Sequence, residues 1–403
     1  MRMLERGSLR KSPHIPVRTF HTALLLMFVW LFSTAAMAAS PRIGVLTMQP
    51  GEVFFERFGH NAIVVDDPGA PTPISYNFGF FDLGESGFIG RFVKGEMQYK
   101  LVALPVMDDL AYYQDVGRGV SIQWLDITPA QARALADALA DNARPEHARY
   151  RYDYFTDNCS TRVRDALDRA MGGALRKQLE GRSAGDTFRS ESVRLASPAL
   201  WMWLGFDIGL GPYADRPLSR WEDAFIPMRL AASLREIRNS EGRPLVQREA
   251  VVVPHRLPPE PQDAPRVWWP WLIAGLALAF GMRWLQSHRP RTFGALALPA
   301  WTLLGLLGAL MAFLWCCTAH VAGWANHNLL LFSPLCLLLV PGAIALLRGR
   351  APSRFHAGVR VVVAAGAVLA LFLQLPAGAQ LQSAWLALLV PLHLALAFPV
   401  RRA

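Results

Sequence analysis

Cys159 stands in the run Tyr152-Asp153-Tyr154-Phe155-Thr156-Asp157-Asn158-Cys159-Ser160-Thr161-Arg162, with no other cysteine between the N-terminal apolar segment and the long apolar run that opens near residue 268. A thiol without a disulfide partner in its own domain is either an inert packing residue or a group kept for its chemistry. Its setting favours chemistry. Asp157 or Asn158 can cap a helix that begins here, which places Cys159 in or beside the first turn. The positive end of a helix favours thiolate over thiol and lowers the pKa from its free value of about 8.5. The same exposed N–H groups can donate to an oxyanion on an attacked carbonyl.

A thiol nucleophile needs a base, and residues 40–265 offer His60, His147 and His255. His147 lies in a polar loop and His255 in a Pro-rich stretch, both settings for solvated side chains. His60 lies in Arg57-Phe58-Gly59-His60-Asn61-Ala62-Ile63, directly ahead of a β-prone run, where Gly59 permits close backbone approach. Cys159 and His60 are therefore the candidate nucleophile and base. A third group commonly orients the imidazole by accepting from its second nitrogen. Asn77, on the next expected strand, is the first candidate and Asp82 the second.

The elements that must position these groups follow from pattern. Residues 62–65 and 74–81 are β-prone and flank the turn-rich Asp66-Asp67-Pro68-Gly69, a hairpin signal. Residues 99–104 and 120–125 add further strands. A helix is expected over 129–142, with Thr128 as N-cap and Pro129 at its first position. Another follows Cys159 as far as Gly172-Gly173, with Val163, Ala166, Leu167 and Ala170 on one face. Residues 39–250 thus read as one α+β domain, and 251–267 as a stiff Pro-rich tether.

The ends of the chain say where this domain sits. Arg2, Arg6, Arg10, Lys11 and Arg18 precede an apolar run over 23–32 and the small-x-small triplet Ala36-Met37-Ala38, the layout of a secretory signal covering 1–38. Beyond residue 265 there are ten Arg and no Lys, Asp or Glu. Five apolar stretches there, 268–285, 293–319, 328–347, 359–375 and 384–400, have the ~17–25 residues of a transmembrane helix. Arg283, Arg289 and Arg291 lie in the first connection, Arg348, Arg350, Arg354 and Arg360 in the third, and Arg401 and Arg402 at the end. The second and fourth connections carry no charge when histidine is neutral. Basic loops stay in the cytoplasm, so the uncharged connections and the domain before residue 268 face outward. The net charge of +10 does not mark a nucleic-acid binder, because residues 40–265 hold 26 basic and 30 acidic side chains, a balance of −4.

At these residues the chain resembles a known family. Phe58-Gly59-His60-Asn61-Ala62, the later Tyr152-x-Tyr154-Phe155-x-x-Asn158-Cys159-Ser160-Thr161-x-x-Arg164-Asp165 and the multi-helix tail look like bacterial Lnb-type proteins. The order His then Cys is also similar to circularly permuted papain-like enzymes, the lecithin:retinol acyltransferase-like group among them. The resemblance implies an antiparallel sheet with a packed Cys helix, a Cys159 nucleophile, a His60 base and N-acylation of bacterial lipoproteins from a phospholipid or other lipid acyl donor. Tyr154 and Asn158 of the motif are expected to contact substrate. The uncharged outward connection, Cys317-Thr318-Ala319-His320-Val321-Ala322-Gly323-Trp324-Ala325-Asn326-His327-Asn328, resembles the polar loop of the Lnb-type membrane domain. Polar residues at that depth are costly without a purpose, so His320, Asn326 and Asn328 are expected to hold a lipid headgroup or complete the site from below. No cofactor or metal is expected, since no carboxylate accompanies these histidines at ligand spacing. Cys316, Cys317 and Cys336 read as packing residues. Two other readings stay open at this point: a periplasmic cysteine peptidase or amidase acting on cell-wall peptide, and a non-catalytic membrane scaffold in which Cys159 is inert.

Overall fold

The computed structural model describes residues 40–262, 267–375 and 379–398. The signal-like segment 1–38, Ala377 of the fourth connection and the terminal Arg401 and Arg402 lie outside the described residues. The exported part is built on β1 (Arg42–Met48), β2 (His60–Asp66), β3 (Ile74–Phe80), β4 (Gln98–Pro105), β5 (Val120–Leu125), β6 (Arg149–Arg151) and β7 (Val246–Val253). They form a seven-stranded antiparallel sheet in the order β6-β4-β3-β2-β1-β5-β7. Its helices are α1 (Phe88–Lys94), α2 (Val106–Asp115), α3 (Pro129–Asn142), α4 (Cys159–Ala170), α5 (Ala174–Leu179), α6 (Phe188–Ala196), α7 (Leu200–Gly209), α8 (Arg220–Asp223) and α9 (Pro227–Glu236).

β1, which the sequence reading left without an assignment, is central. Every residue from Ile43 to Met48 is buried, because helices cover both faces of the sheet and remove the usual alternation. On one face Val45, Ile63, Phe78 and Leu101 pack with Leu135 of α3 and Val163 and Leu167 of α4. On the other, Leu46, Met48, Val64 and Ile122 pack with Tyr113 of α2. Burying Val163 and Leu167 stabilises the seat of α4 by roughly 1.5–3 kcal/mol each. The expected helix over 129–142 forms, with a reciprocal cap between Thr128 and Gln131.

The tether begins later than expected. β7 runs to Val253 and pairs with β5, Val251 opposite Ser121 and Val253 opposite Val120, so the Pro-rich stretch starts at Pro254. It is also docked rather than free: the Gly119 N–H donates to His255 Nδ1 at 3.0 Å, and Arg194 pairs with Glu260 at 2.6 Å.

The C-terminal part consists of α10 (Trp269–His288), α11 (Pro290–Cys317), α12 (Val340–Leu347), α13 (Arg354–Phe372) and α14 (Ser383–Ala397). Among the described residues, three stretches are long and apolar enough to cross a membrane: Pro290–Cys317, His327–Leu347 and Arg354–Phe372. The second of these is not the continuous α-helix expected over 328–347. It opens with 3-10 turns at His327–Leu330 and Pro334–Leu339 before α12, and Pro334 at the start of the second turn and Pro341 at the start of α12 lack the N–H groups a continuous α-helix needs. Cys336 is buried in the packing of these helices, as expected, whereas Cys316 and Cys317 lie exposed at the end of α11.

Candidate active site

The site begins with two ends of regular structure brought together by the sheet. His60 is the first residue of β2 and Cys159 the first of α4, which packs on β2 and β3. Asn158 is the N-cap: its Oδ1 accepts from the Thr161 N–H at 2.9 Å, and its own N–H donates to Thr161 Oγ1 at 2.8 Å. Its amide nitrogen donates to the carbonyls of Tyr154 and Phe225, both at 2.9 Å. With its polar atoms engaged in this way and the residue buried, Asn158 holds the helix start in place. The neighbours of the two candidate residues are tied as well. Ser160 Oγ lies 2.9 Å from Asn61 Oδ1, while Asn61 Nδ2 donates to Leu46 O at 3.0 Å and Thr47 Oγ1 at 2.9 Å. Helix start and strand start are thereby locked to β1.

Cys159 is partly exposed and hydrogen-bonded to His60. Burial pushes its thiol up, but the charge of His60, that hydrogen bond, and the N–H groups of Asn61 and Ser160 pull it below the ordinary thiol range. His60 shows the mirror image. Burial pushes the imidazole down, and the charge and hydrogen bond of Cys159, with the Asp109 carboxylate, overcome both burial and the opposing Arg118. A thiolate facing an imidazolium is the state these shifts favour.

The orienting group is Asn77, whose Oδ1 lies 3.0 Å from His60 Nε2. An amide oxygen only accepts, so Nε2 carries the hydrogen and Nδ1 is left for the thiol. Asp82 is excluded from that role, since its Oδ1 accepts from the Gly84 N–H at 2.8 Å in an exposed turn. Behind Asn77 stands Asp109 of α2, which the sequence reading missed. Its Oδ2 accepts from Asn77 Nδ2 at 2.9 Å and from Ser75 Oγ at 2.7 Å. The available signal was helical spacing: Asp109 shares a face with Val106 and the buried Tyr113, so its carboxylate had to point inward. Because a carboxylate only accepts, Asp109 obliges Asn77 to turn its nitrogen inward and its oxygen toward His60. Asp109→Asn removes that obligation. We expect it to raise the pH at which Cys159 becomes alkylated by about one unit, roughly 10-fold less thiolate at neutral pH, read by peptide mass spectrometry after iodoacetamide pulses across pH.

The membrane part reaches this region through its polar connection. The Ala319 N–H donates to Lys94 O at 2.7 Å and His320 Nε2–H to Phe92 O at 3.0 Å, both at the end of α1. The His320 ring stacks on Tyr154 at 5.9 Å, and Tyr154 meets Tyr152 edge-on at 6.0 Å. Tyr152 borders the space beside Cys159. His320 and Tyr154 thus lie on a path of rings from the membrane helices to the thiol. Asn326 and Asn328 do not. Both are buried, and both donate to Ile208 O, at 2.8 and 3.0 Å, filling the carbonyl end of α7 that a helix leaves without partners. Asn326 Oδ1 accepts from Gln380 Nε2 at 2.9 Å, and Asp207 Oδ2 from Trp385 Nε1 at 2.8 Å. These two asparagines join the parts of the molecule, and among the described residues Asn328 Oδ1 is left without a partner.

Family comparison agrees with this division. The Lnb N-terminal periplasmic domain matches residues 32–195, and the Lnb transmembrane domain matches residues 265–399. The chain is an Lnb-type membrane protein. No curated protein and no solved structure matches it. The Lnb periplasmic domain therefore contributes His60, Asn77, Asp109 and Cys159, and the Lnb transmembrane domain contributes His320. The other histidines of the exported part are placed elsewhere: exposed His147 pairs with Asp141 at 3.1 Å, and His255 is held by Gly119.

Proposed function

We propose that this protein is a membrane-bound thiol acyltransferase that moves an acyl chain from a phospholipid, or another lipid ester, through a Cys159 thioester to an amine, the N-terminus of a diacylated bacterial lipoprotein. Its C-terminal helices cross the inner membrane five times, leaving the C-terminus in the cytoplasm, and its catalytic domain is a permuted papain-like fold. The observation that carries the reading is a thiol–imidazole–amide row, Cys159, His60 and Asn77, on the side of the domain that touches the membrane helices.

Cys159 thiolate attacks the ester carbonyl, and the carbon–oxygen bond to the lysolipid breaks. The leaving alkoxide takes a proton from the His60 imidazolium. The neutral amine of the acceptor then attacks the thioester carbonyl, His60 accepts its proton, and Cys159 leaves as thiolate. Asn77 keeps the imidazole in register through both halves.

The surface beside the row supports a lipid substrate over a soluble peptide. Phe54 and Trp201 are exposed and stack at 5.9 Å; Phe55 is exposed and meets Phe81 at 5.3 Å, and Phe81 stacks on Phe88 of α1 at 5.7 Å. Ile89 and Val93 are exposed on the same short helix whose end is hydrogen-bonded to the membrane part. Apolar surface of this kind, continuous with a membrane anchor, marks a lipid contact. Incubating the purified chain with phospholipid vesicles in detergent is expected to leave an acyl group on the Cys159 peptide that hydroxylamine removes. Absence of that adduct with every phospholipid class, in a protein whose Cys159 still alkylates, would overturn the proposal.

A further inference from the structure

Tyr150 occupies the middle of β6, is 9% exposed, and its hydroxyl is enclosed with no hydrogen-bond partner among the described residues. A buried hydroxyl without a partner is costly, and where one persists beside a reactive group its partner is sought in the reaction. The hydroxyl borders the nucleophile. The point where a side chain at position 79 would begin lies 3.5 Å from Cys159 Cβ, 3.8 Å from Tyr150 Oη and 3.9 Å from the Tyr152 ring. Position 79 is glycine at φ +92°, so this point stays clear, a slot with ordinary contact distances for one atom.

We infer that Tyr150 is a further catalytic residue, whose hydroxyl donates to the oxyanion formed in that slot as Cys159 is acylated. The inference rests on the acyl-transfer reading of Cys159 and adds the group that stabilises its transition state. When the thiolate forms its bond to the carbonyl carbon, the π pair moves onto the carbonyl oxygen. Tyr150 O–H donates a hydrogen bond to it and keeps its proton. Collapse restores the carbonyl and expels the alkoxide, which takes its proton from His60. The N–H of Cys159, in the first turn of α4 where no intrahelical acceptor exists, supplies the second donor.

Two surroundings suit the role. The Arg162 guanidinium lies 4.0 Å over the Tyr150 ring and makes the phenol a stronger donor. Burial, and after it the negative charge of Cys159, hold Tyr150 well above the ordinary phenol range, so it stays protonated.

The test compares two reactions of Cys159 in the full-length protein, both followed on the Cys159 peptide by mass spectrometry. Acylation by a p-nitrophenyl ester builds an oxyanion, and alkylation by iodoacetamide does not. Tyr150→Phe is expected to slow acylation on the order of 10²-fold, to change alkylation less than about twofold, and to leave the unfolding temperature unchanged or higher, since only an unpaired hydroxyl is removed. Equal acylation of Y150F and the natural chain overturns the inference, as does a parallel fall in both reactions, which marks a merely structural Tyr150. If the natural chain alkylates normally and never acylates, the acyl-transfer reading falls first and takes this inference with it.

Discussion

Replacing Cys159 with alanine is expected to abolish N-acylation in cells that depend on this protein for it, leaving their lipoproteins with free N-terminal amines detectable by mass spectrometry. The loss should be on the order of 10³-fold or more, because the covalent route has no other thiol to use: Cys316, Cys317 and Cys336 all belong to the membrane part. Cys159→Ser is expected to be nearly as inactive. The setting of position 159 lowers a thiol into the range where His60 can hold its proton, and the same influences leave a serine hydroxyl far too weak an acid. Stability should hardly change. Asn158 and Thr161, not Cys159, close the cap of α4, and the helix is held by Val163 and Leu167 in the core. Normal N-acylation in cells carrying only the C159A protein, present at ordinary levels, would remove Cys159 from the mechanism.

The pair Cys159 and His60 was legible in the sequence because each is marked by local context: a cap residue ahead of the thiol, and a glycine and a strand around the histidine. Asn77 was legible one step further, since a strand adjoining that of His60 is the natural place for an orienting group, and β2 and β3 do pair with Ala62 opposite Asn77. Asp109 was not. It lies 32 residues beyond Asn77 on a helix, and only the packing of α2 against the sheet reveals that its carboxylate faces Asn77 rather than water. Tyr150 was hidden for a different reason. Its strand is three residues long, and what distinguishes its hydroxyl is the lack of a partner among the described residues, which no pattern of residue types displays.

The polar connection carries contacts that its residue types do not display. Asparagines between apolar helices were read as ligands for a headgroup, on the argument that polarity at membrane depth needs a purpose. The structure shows one purpose: both amide nitrogens donate to the Ile208 carbonyl near the end of α7. A sequence shows which residue needs a partner and not which of two partners it finds. The Val-rich start of the tether was misassigned on similar grounds. Val251 to Val253 precede Pro254 closely enough to look like part of a stiff linker, while the open edge of β5 takes them as a strand.

The pH dependence of His60 gives the second large effect. In the folded protein the thiol pKa is lowered and the imidazole pKa is raised, so the thiolate–imidazolium pair forms as pH rises through the first and is lost as pH rises through the second. In the proposed acyl transfer, attack by Cys159 needs the thiolate, and proton return to the leaving lysolipid needs the imidazolium. The acylation half-reaction should therefore rise and fall across that window as a bell. His60→Ala removes both the charge and the hydrogen bond that lower the thiol, and leaves burial, the largest influence on Cys159, nearly unopposed. The expected result is a single alkaline rise of Cys159 alkylation, displaced to or above the ordinary thiol range, and an acylation rate at neutral pH reduced about 10²–10⁴-fold, the contribution of one positioned acid–base group. His60→Gln, which can hydrogen-bond and cannot titrate, separates the two parts of the effect. It should recover some ordering of the site and none of the bell. A bell that survives in H60A would assign the base to another group, and the half-buried position of His60 between Cys159 and Asn77 would then serve the fold alone.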